Sequence, residues 1–346
     1  MLGARGPSAY ALLRPFRAVG GGLLVLVLAL SVSPVAGSPA DSVRVAFQPI
    51  QSYAGLFIAE REGYFATEGI RIVWVPVRTT VDAMALLAQE QLDVGAGGVS
   101  PGFFNAISRG VKLRIVADKG HVGARGGAPV LMVRSGLAGV VKTVADLRGR
   151  RFATGGVGDL GHYMLSRVLA THGVAAQQVS LVFLPLTAYV AALQGGAVDA
   201  AFVSPPLDQQ AAEMNIAFKL VDLADVIPGE PLAFLFYGPS LVDRRRDLGA
   251  RFMLAYLRGL RRYNEGPTPR NAAILAEYTK IEPTLIRKSG WIGLHPDGFV
   301  DATKLRRQQD WLYELELISV RNPMGLVVDT AFVEEAVATL NTRARR

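Results

Sequence analysis

The chain has 346 residues, 50% of them hydrophobic and 19% charged, with a formal net charge of +8. That composition suits about two domains with buried cores and excludes disorder, which needs low hydrophobicity and high net charge. The absence of cysteine excludes disulfides, iron–sulfur clusters, cysteine nucleophiles and a lipid-modified N-terminal cysteine.

Residues 1–40 read as a cleavable signal peptide. Arg5, Arg14 and Arg17 make a basic start, Leu23–Leu30 is an apolar run, and Ser31, Ser33, Ala36, Gly37 and Ala40 are the small residues a signal peptidase requires. The run is shorter than the ~20 apolar residues that span a bilayer. The expected product is soluble, periplasmic and not lipid-anchored. Without the leader arginines, 34 basic residues face 29 acidic ones, a net charge of +5. The excess is scattered over Arg244–Arg246, Arg258 with Arg261 and Arg262, Arg306 with Arg307, and the last four residues. A nucleic-acid partner would want one basic stripe interleaved with aromatics, so none is expected.

From residue 41 strands alternate with helices. Val43–Phe47 and Ile72–Val77 read as strands around a helix over Tyr53–Glu62 that Gly63 closes. A helix over Thr80–Gln89 carries a possible capping pair, Thr79 with Asp82. A strand at Val94–Val99, a helix at Phe103–Ser108 and a strand at Leu113–Ala117 follow. The alternation predicts an α/β fold with mostly parallel sheets.

The pattern then recurs. Arg44–Phe47 resembles Arg151–Thr154, Val73–Val77 resembles Val182–Leu186, and Ala88–Val94 resembles Leu193–Ala200. Asp93 and Asp199 are each followed by a Ser-Pro pair, Ser100-Pro101 and Ser204-Pro205. An ordered series of matches implies two related lobes. Two apolar strands, Pro129–Arg134 and Pro231–Tyr237, are the expected hinge between them. The expected division is 41–130 with 235–346 for the first lobe and 131–234, hinge strands included, for the second. Helical stripes after Tyr237 should pack on the first lobe: Leu248, Phe252, Ala255, Tyr256, Gly259 and Tyr263, then Leu305, Leu312 and Leu315, then Phe332, Val333, Ala336, Val337 and Leu340. A ligand would sit between the lobes, beyond the carboxyl ends of the strands.

Several motifs suggest chemistry. Gly98–Gly102 fits a nucleophile elbow around Ser100, with Asp208 and His295 following in the chain. The residue after the serine is Pro101, which has no N–H for an oxyanion hole, so a serine hydrolase is a minor alternative. A tight loop that presents Ser100 to a ligand is the better reading. Gly156–Gly161 fits a dinucleotide fingerprint but lacks the acidic residue about 20 positions on. A glycine-rich helix start for a small polar ligand remains, and no cofactor is expected. No histidine pair has metal-ligand spacing, so no metal is expected. Lys119 and Arg125, flanking His121, could neutralise an anion. His162 could face the cleft. Tyr53, Phe103, Tyr163 and Tyr237 could offer flat surfaces to a ring.

Ordered motifs over nearly the whole chain resemble the solute-binding proteins of ABC importers of the nitrate/sulfonate/taurine type, with the type II periplasmic binding protein fold. They are Ile58–Phe65 with Glu68-Gly69, Gln91–Gly95, Ala145–Gly149, Gly161–Leu165, Gly196–Ala200 before Ser204-Pro205, Pro296–Gly298 and Asp329–Ala336. The resemblance implies a non-enzymatic monomer that closes on a small anion or heterocycle, such as a sulfonate, nitrate or pyrimidine. It implies delivery to a membrane permease with a cytoplasmic ATPase. An exported sensor for a membrane receptor is the alternative. A similar branch that makes the thiamine pyrimidine carries a cysteine-rich motif that this chain lacks. Position by position, the resemblance implies ligand contacts in the loop Gln48–Tyr53 (Gln48, Gln51, Ser52, Tyr53) and in the turn Gly98, Val99, Ser100. It implies two more at the helix start Gly156, Val157, Gly158, Asp159 and the turn Val203–Pro205 (Ser204, Pro205). Lys119, His121, His162 and Tyr237 complete the expected site.

Overall fold

The structure, a computed structural model, describes residues 40–123 and 127–345. The leader expected over 1–40 lies, but for its last residue, outside the described residues, as does Arg125. Among the described residues ten strands form two five-stranded sheets. They are β1 (Asp41–Phe47), β2 (Ile70–Pro76), β3 (Val94–Gly97), β4 (Arg114–His121), β5 (Val130–Arg134), β6 (Arg151–Thr154), β7 (Ser180–Phe183), β8 (Ala200–Val203), β9 (Ala217–Asp222) and β10 (Pro231–Tyr237). The first sheet runs β2-β1-β3-β10-β4 and the second β7-β6-β8-β5-β9. The two orders are the same once β1–β4 are matched to β6–β9, as the sequence repeat implies.

β5 and β10 occupy the same place in their sheets, each antiparallel to both neighbours. The expected hinge strands are therefore interior members of the sheets they enter. The chain crosses between sheets just before each of them. The two crossings are paired to each other: Val122 N–H donates to Glu230 O at 2.8 Å, and Gly229 N–H to Val122 O at 2.9 Å.

Alternation along the strands gives each sheet two apolar faces, because successive side chains point to opposite sides. In β10, Leu235 and Tyr237 join the core that holds the helices Ala54–Arg61 and Arg246–Tyr263. Phe234 and Phe236 join the core on the other face, with Phe103, Phe104, Leu305 and Leu312. In β5, Leu131 and Val133 face one core while Val130 and Met132 face the other. The expected stripe Leu248–Tyr263 is buried throughout, and Thr79 with Asp82 forms a complete capping box.

Each sheet is tied at its amino-terminal strand ends by one aspartate. Asp93, 1% exposed, accepts from the Arg44 backbone N–H at 2.9 Å, from Arg44 Nε and Nη2 at 3.0 Å, and from Arg245 Nη2 at 3.0 Å. Asp199, 5% exposed, accepts from the Arg151 N–H at 2.9 Å, from Arg151 Nε and Nη2 at 3.2 and 3.0 Å, and from Arg134 Nε at 2.9 Å. The aspartate backbone closes each ring: Asp93 N–H donates to Arg44 O and Asp199 N–H to Arg151 O. Burial pushes the Asp199 carboxyl up, but the hydrogen bonds from Arg151 and Arg134 outweigh it and hold the pKa at about 2.

A carboxylate with a depressed folded pKa stabilises fully above its unfolded value, and that contribution is lost as pH falls through the folded pKa. The Asp199 contribution should therefore be complete at neutral pH and fade between about pH 4 and pH 2. Asp199→Asn should cost about 3 kcal/mol at pH 7 in urea unfolding, the lower end for a broken buried pair because both arginines keep partial solvent contact. The deficit relative to the parent should shrink below pH 3.

Candidate functional site

A cavity of about 330 Å³ lies between the sheets, where the carboxyl ends of the parallel strands point. The first sheet supplies the loops after β1, β2 and β3 and the end of β4; the second supplies the loops after β6, β7 and β8. The antiparallel β10 adds Leu232 and Ala233 from its starting end.

Ten of the seventeen expected site residues line this cavity: Gln48, Gln51, Ser52, Gly98, Val99, Ser100, Lys119, Asp159, Ser204 and Pro205. Their chemistry differs. The two glutamines are occupied in holding loops: Gln48 Nε2 donates to Arg78 O at 3.1 Å, and Gln51 brackets Gly290 O and the Ile292 N–H. Ser100 precedes the helix Pro101–Ser108 but its side chain makes no capping bond. Its hydroxyl is buried and has no hydrogen-bond partner. Neither Asp208 nor His295 engages it, so the elbow has no base.

Lys119 brings a buried amine to the wall, which also contains Asp159 and, at its exposed rim, Arg78. Lys119 is 1% exposed, and its Nζ donates to Ser52 Oγ at 2.8 Å and sits 3.8 Å from the centre of the Tyr53 ring. Both partners are neutral. The adjacent carboxylate of Asp118 is already filled by the N–H groups of Gly120 and His295 and by His121 Nδ1 at 3.3 Å. Burial pulls the Lys119 ammonium down to a pKa of about 7, with Asp118 opposing the shift.

The glycine-rich helix start is not an anion cradle. Asp159 caps the helix Leu160–Ala170 and takes the N–H groups of His162 at 2.9 Å and Gly155 at 2.7 Å, together with the Thr154 hydroxyl. The carboxylate occupies the donors a bound phosphate would need. Burial pushes its pKa up, against those hydrogen bonds.

The other seven expected residues lie off the cavity. Tyr53 is buried behind it, its hydroxyl on Ala96 O, and only its ring face reaches the Lys119 ammonium. Tyr237 is buried with its hydroxyl on Gly249 O. His121 turns to Asp118. Val157 is exposed, Gly156 lies outside the wall, and His162 accepts from the Gly158 N–H and packs edge-on to Trp311, 5.1 Å away. Gly158 has φ +77°, and a Cβ there would sit 2.7 Å from Pro101 and 2.8 Å from Leu317. The rings of Phe103 and Tyr163 are also not in the wall: Phe103 packs on Phe104 and Phe236, and the Tyr163 hydroxyl donates to Glu230.

The wall contains residues that the sequence reading missed. The loop after β2 contributes Thr79 and Thr80, and the loop after β7 contributes Leu186 and Thr187. These loops follow matched segments of the repeat, Val73–Val77 and Val182–Leu186, which was the available signal. Leu160, Met164, Tyr189 and Phe202 make the second sheet's side mainly apolar. Among the described residues no group of three or more His, Cys, Asp or Glu is placed to hold a metal, and no helix is long and apolar enough to cross a membrane.

Residues 36–279 match the model of the NMT1-like family. No curated protein matches the chain. Among solved structures, the zinc-bound ligand-binding component of an ABC-type import system from Staphylococcus aureus superposes with a TM-score of 0.73 at 15% identity, over 86% of this chain and 99% of that one. The alkanesulfonate-binding protein SsuA from Xanthomonas axonopodis pv. citri, bound to MOPS, gives 0.69 at 20% identity, over 85% and 100%. The periplasmic nitrate-binding protein NrtA from Synechocystis PCC 6803 gives 0.71 at 14% identity, over 88% and 90%. The desulfurization enzyme DSZB also shares the fold, at 0.60 and 16% identity over 87% and 99%. These likenesses establish a two-lobed periplasmic binding protein fold.

The lobes touch at glycines. A Cβ on Gly98 would lie 2.8 Å from Leu160 Cβ across the cleft and 3.3 Å from Leu232 O. Neither atom is the free end of a flexible chain, so the lobes must part to admit it. Gly98→Ala should weaken ligand binding by about 1–3 kcal/mol, the usual cost of overpacking. Scattering of the variant at saturating ligand should give a larger radius of gyration than the parent.

Proposed function

The chain belongs to the NMT1-like family, and we propose that it is the exported solute-binding component of an ABC importer for an organic anion. One observation carries the choice of an anion: a buried ammonium, Lys119, in the cleft wall with only neutral partners of its own. Burial with no carboxylate in direct contact disfavours the ammonium, and an anion in the cleft would offset that cost. Ser100, with its unpartnered hydroxyl, supplies a second donor. The apolar side formed by Leu160, Met164 and Phe202 favours a ligand with an apolar body over a bare inorganic ion.

Several observations support transport rather than catalysis. Ser100 has no base, and the chain contains no cysteine to act as a nucleophile. The cleft is built from both sheets, so a ligand held there contacts both lobes and stabilises the closed form by the contacts that the open form lacks. The closed shape is what a permease with its cytoplasmic ATPase would read. The basic start, apolar run and small residues of 1–40 support export to the periplasm, as do the periplasmic neighbours.

A thermal-shift screen of the protein against hexanesulfonate, benzoate, nitrate and a neutral pyrimidine tests the reading. A ligand at 100 times its Kd should stabilise by about 2.7 kcal/mol. Hexanesulfonate or benzoate should shift the melting temperature and the pyrimidine should not. Lys119→Met should cost about 1.5–3 kcal/mol of anion binding and Ser100→Ala about 0.5–1.5 kcal/mol. Tight binding of the pyrimidine, undiminished in Lys119→Met, would replace the anion by a heterocycle.

A further inference from the structure

We propose that above neutral pH the cleft takes up a proton with the anion it binds, and that Lys119 receives it. The inference rests on the anion reading above and concerns how the charge is balanced. It begins from the surroundings of Nζ. The loop after β1 gives a hydroxyl, Ser52 Oγ, and an aromatic face, Tyr53. To the same cavity wall β10 adds Leu232 and Ala233, and the segment beyond residue 289 adds Ile292. None of these carries charge. On its own strand, Asp118 and His121 bond to each other, and the Asp118 oxygens are filled by Gly120 and His295 N–H groups. From the helix Arg246–Tyr263, the Tyr256 hydroxyl donates to the Asp118 carbonyl at 2.8 Å. Across the cavity, the Asp159 carboxylate is held by its helix cap, and Arg78 lies at the exposed rim.

The protein's own groups therefore offer Lys119 no carboxylate to pair with directly. Burial leaves it near the middle of its titration at neutral pH, at about 7. An anion against Nζ supplies the missing opposite charge and favours the ammonium. The pKa must rise in the complex, and any Lys119 that was neutral takes a proton from solvent. Where Lys119 was neutral, the captured unit is then an anion plus a proton, with no net change in the charge of the cleft. Serine at 52 suits both states, because its hydroxyl accepts from the ammonium and can donate to the neutral amine.

Calorimetry with hexanesulfonate and with benzoate tests this. Both are fully ionised between pH 6 and 9, so a proton taken up on binding goes to the protein. Titrations at pH 8 in Tris and in triethanolamine, buffers without an anionic group, give the proton count from the difference in heat. With the free pKa at about 7, the count should be about 0.9 per anion at pH 8 and about 0.1 at pH 6, and Kd should rise about tenfold from pH 8 to 9. Lys119→Arg, charged at every pH, should bind with no proton uptake. Asp159→Asn, which caps the helix as well as aspartate does, should keep the full uptake. In protein labelled with ¹³C-lysine, the Lys119 Cε resonance should titrate near pH 7 without anion and above pH 9 with it.

A count near zero at pH 8 with a flat Kd overturns the proposal and leaves the anion reading intact. Uptake that persists in Lys119→Arg and vanishes in Asp159→Asn moves the proton to Asp159 and overturns it as well. Failure of both anions to bind at pH 6, where Lys119 is charged, overturns the anion reading and this inference together.

Discussion

A buried aspartate held by two arginines sets the geometry of each sheet from the end opposite the cleft. Asp93 and Asp199 receive a backbone N–H and a guanidinium from the strand beside them, and a second guanidinium from a distant stretch of chain. The second arginine differs in origin: Arg245 comes from the start of the helix after β10, and Arg134 from the end of β5. In each lobe the pair thus joins the first strand of the repeat to the inserted antiparallel strand or its continuation. A one-residue slip of β3 or β8 would turn every side chain to the wrong face and leave a carboxylate buried without partners. The loops at the far ends inherit that register, so the positions of Ser100 and Ser204 at the cleft depend on contacts made behind them.

The cleft is electrically asymmetric for a related reason. Two of the helix starts at the cavity, one from each lobe, are used oppositely. In the first lobe Pro101 opens the helix and the Ser100 hydroxyl stays free. In the second lobe Asp159 fills the helix start with its own carboxylate. The two lobes therefore present different chemistry to the cavity, with Lys119 and Ser100 on one side and an apolar wall beside Asp159 on the other.

The sequence shows the architecture clearly because it is written in long-range regularities: the two-residue alternation of the strands, the helical stripe Leu248–Tyr263, and the ordered matches between halves. The strand exchange was harder to read. Pro129–Arg134 and Pro231–Tyr237 look like connectors because each follows a break in the repeat, and nothing local says that each enters the middle of a sheet. At the site, residues whose backbone must be near the ligand were legible, including Gly98–Ser100 and Ser204-Pro205. Side-chain direction was not. Tyr53, Tyr237 and His162 sit in the right segments, but backbone carbonyls accept from the two tyrosine hydroxyls and the Gly158 N–H donates to His162 Nδ1. The charge of Lys119 was legible; its isolation, which gives it its significance, depends on Asp118 being satisfied by His295, 177 positions away.

The place of β5 and β10 in the sheets also fixes an order of assembly. All five strands of the second sheet lie between Val130 and Asp222, in one uninterrupted stretch. The first sheet contains β1–β4 but lacks its fourth neighbour until Pro231–Tyr237 has emerged, and the Asp93 clamp lacks Arg245 until later still. The half of the molecule that is made first is thus the half that is completed last. A fragment ending near residue 227 holds a finished second lobe attached to an unfinished first one, with β3 and β4 each exposing an unpaired edge. Such edges invite pairing with other chains, so truncations in this region should be prone to aggregation, whereas the complete chain covers both edges with a single strand.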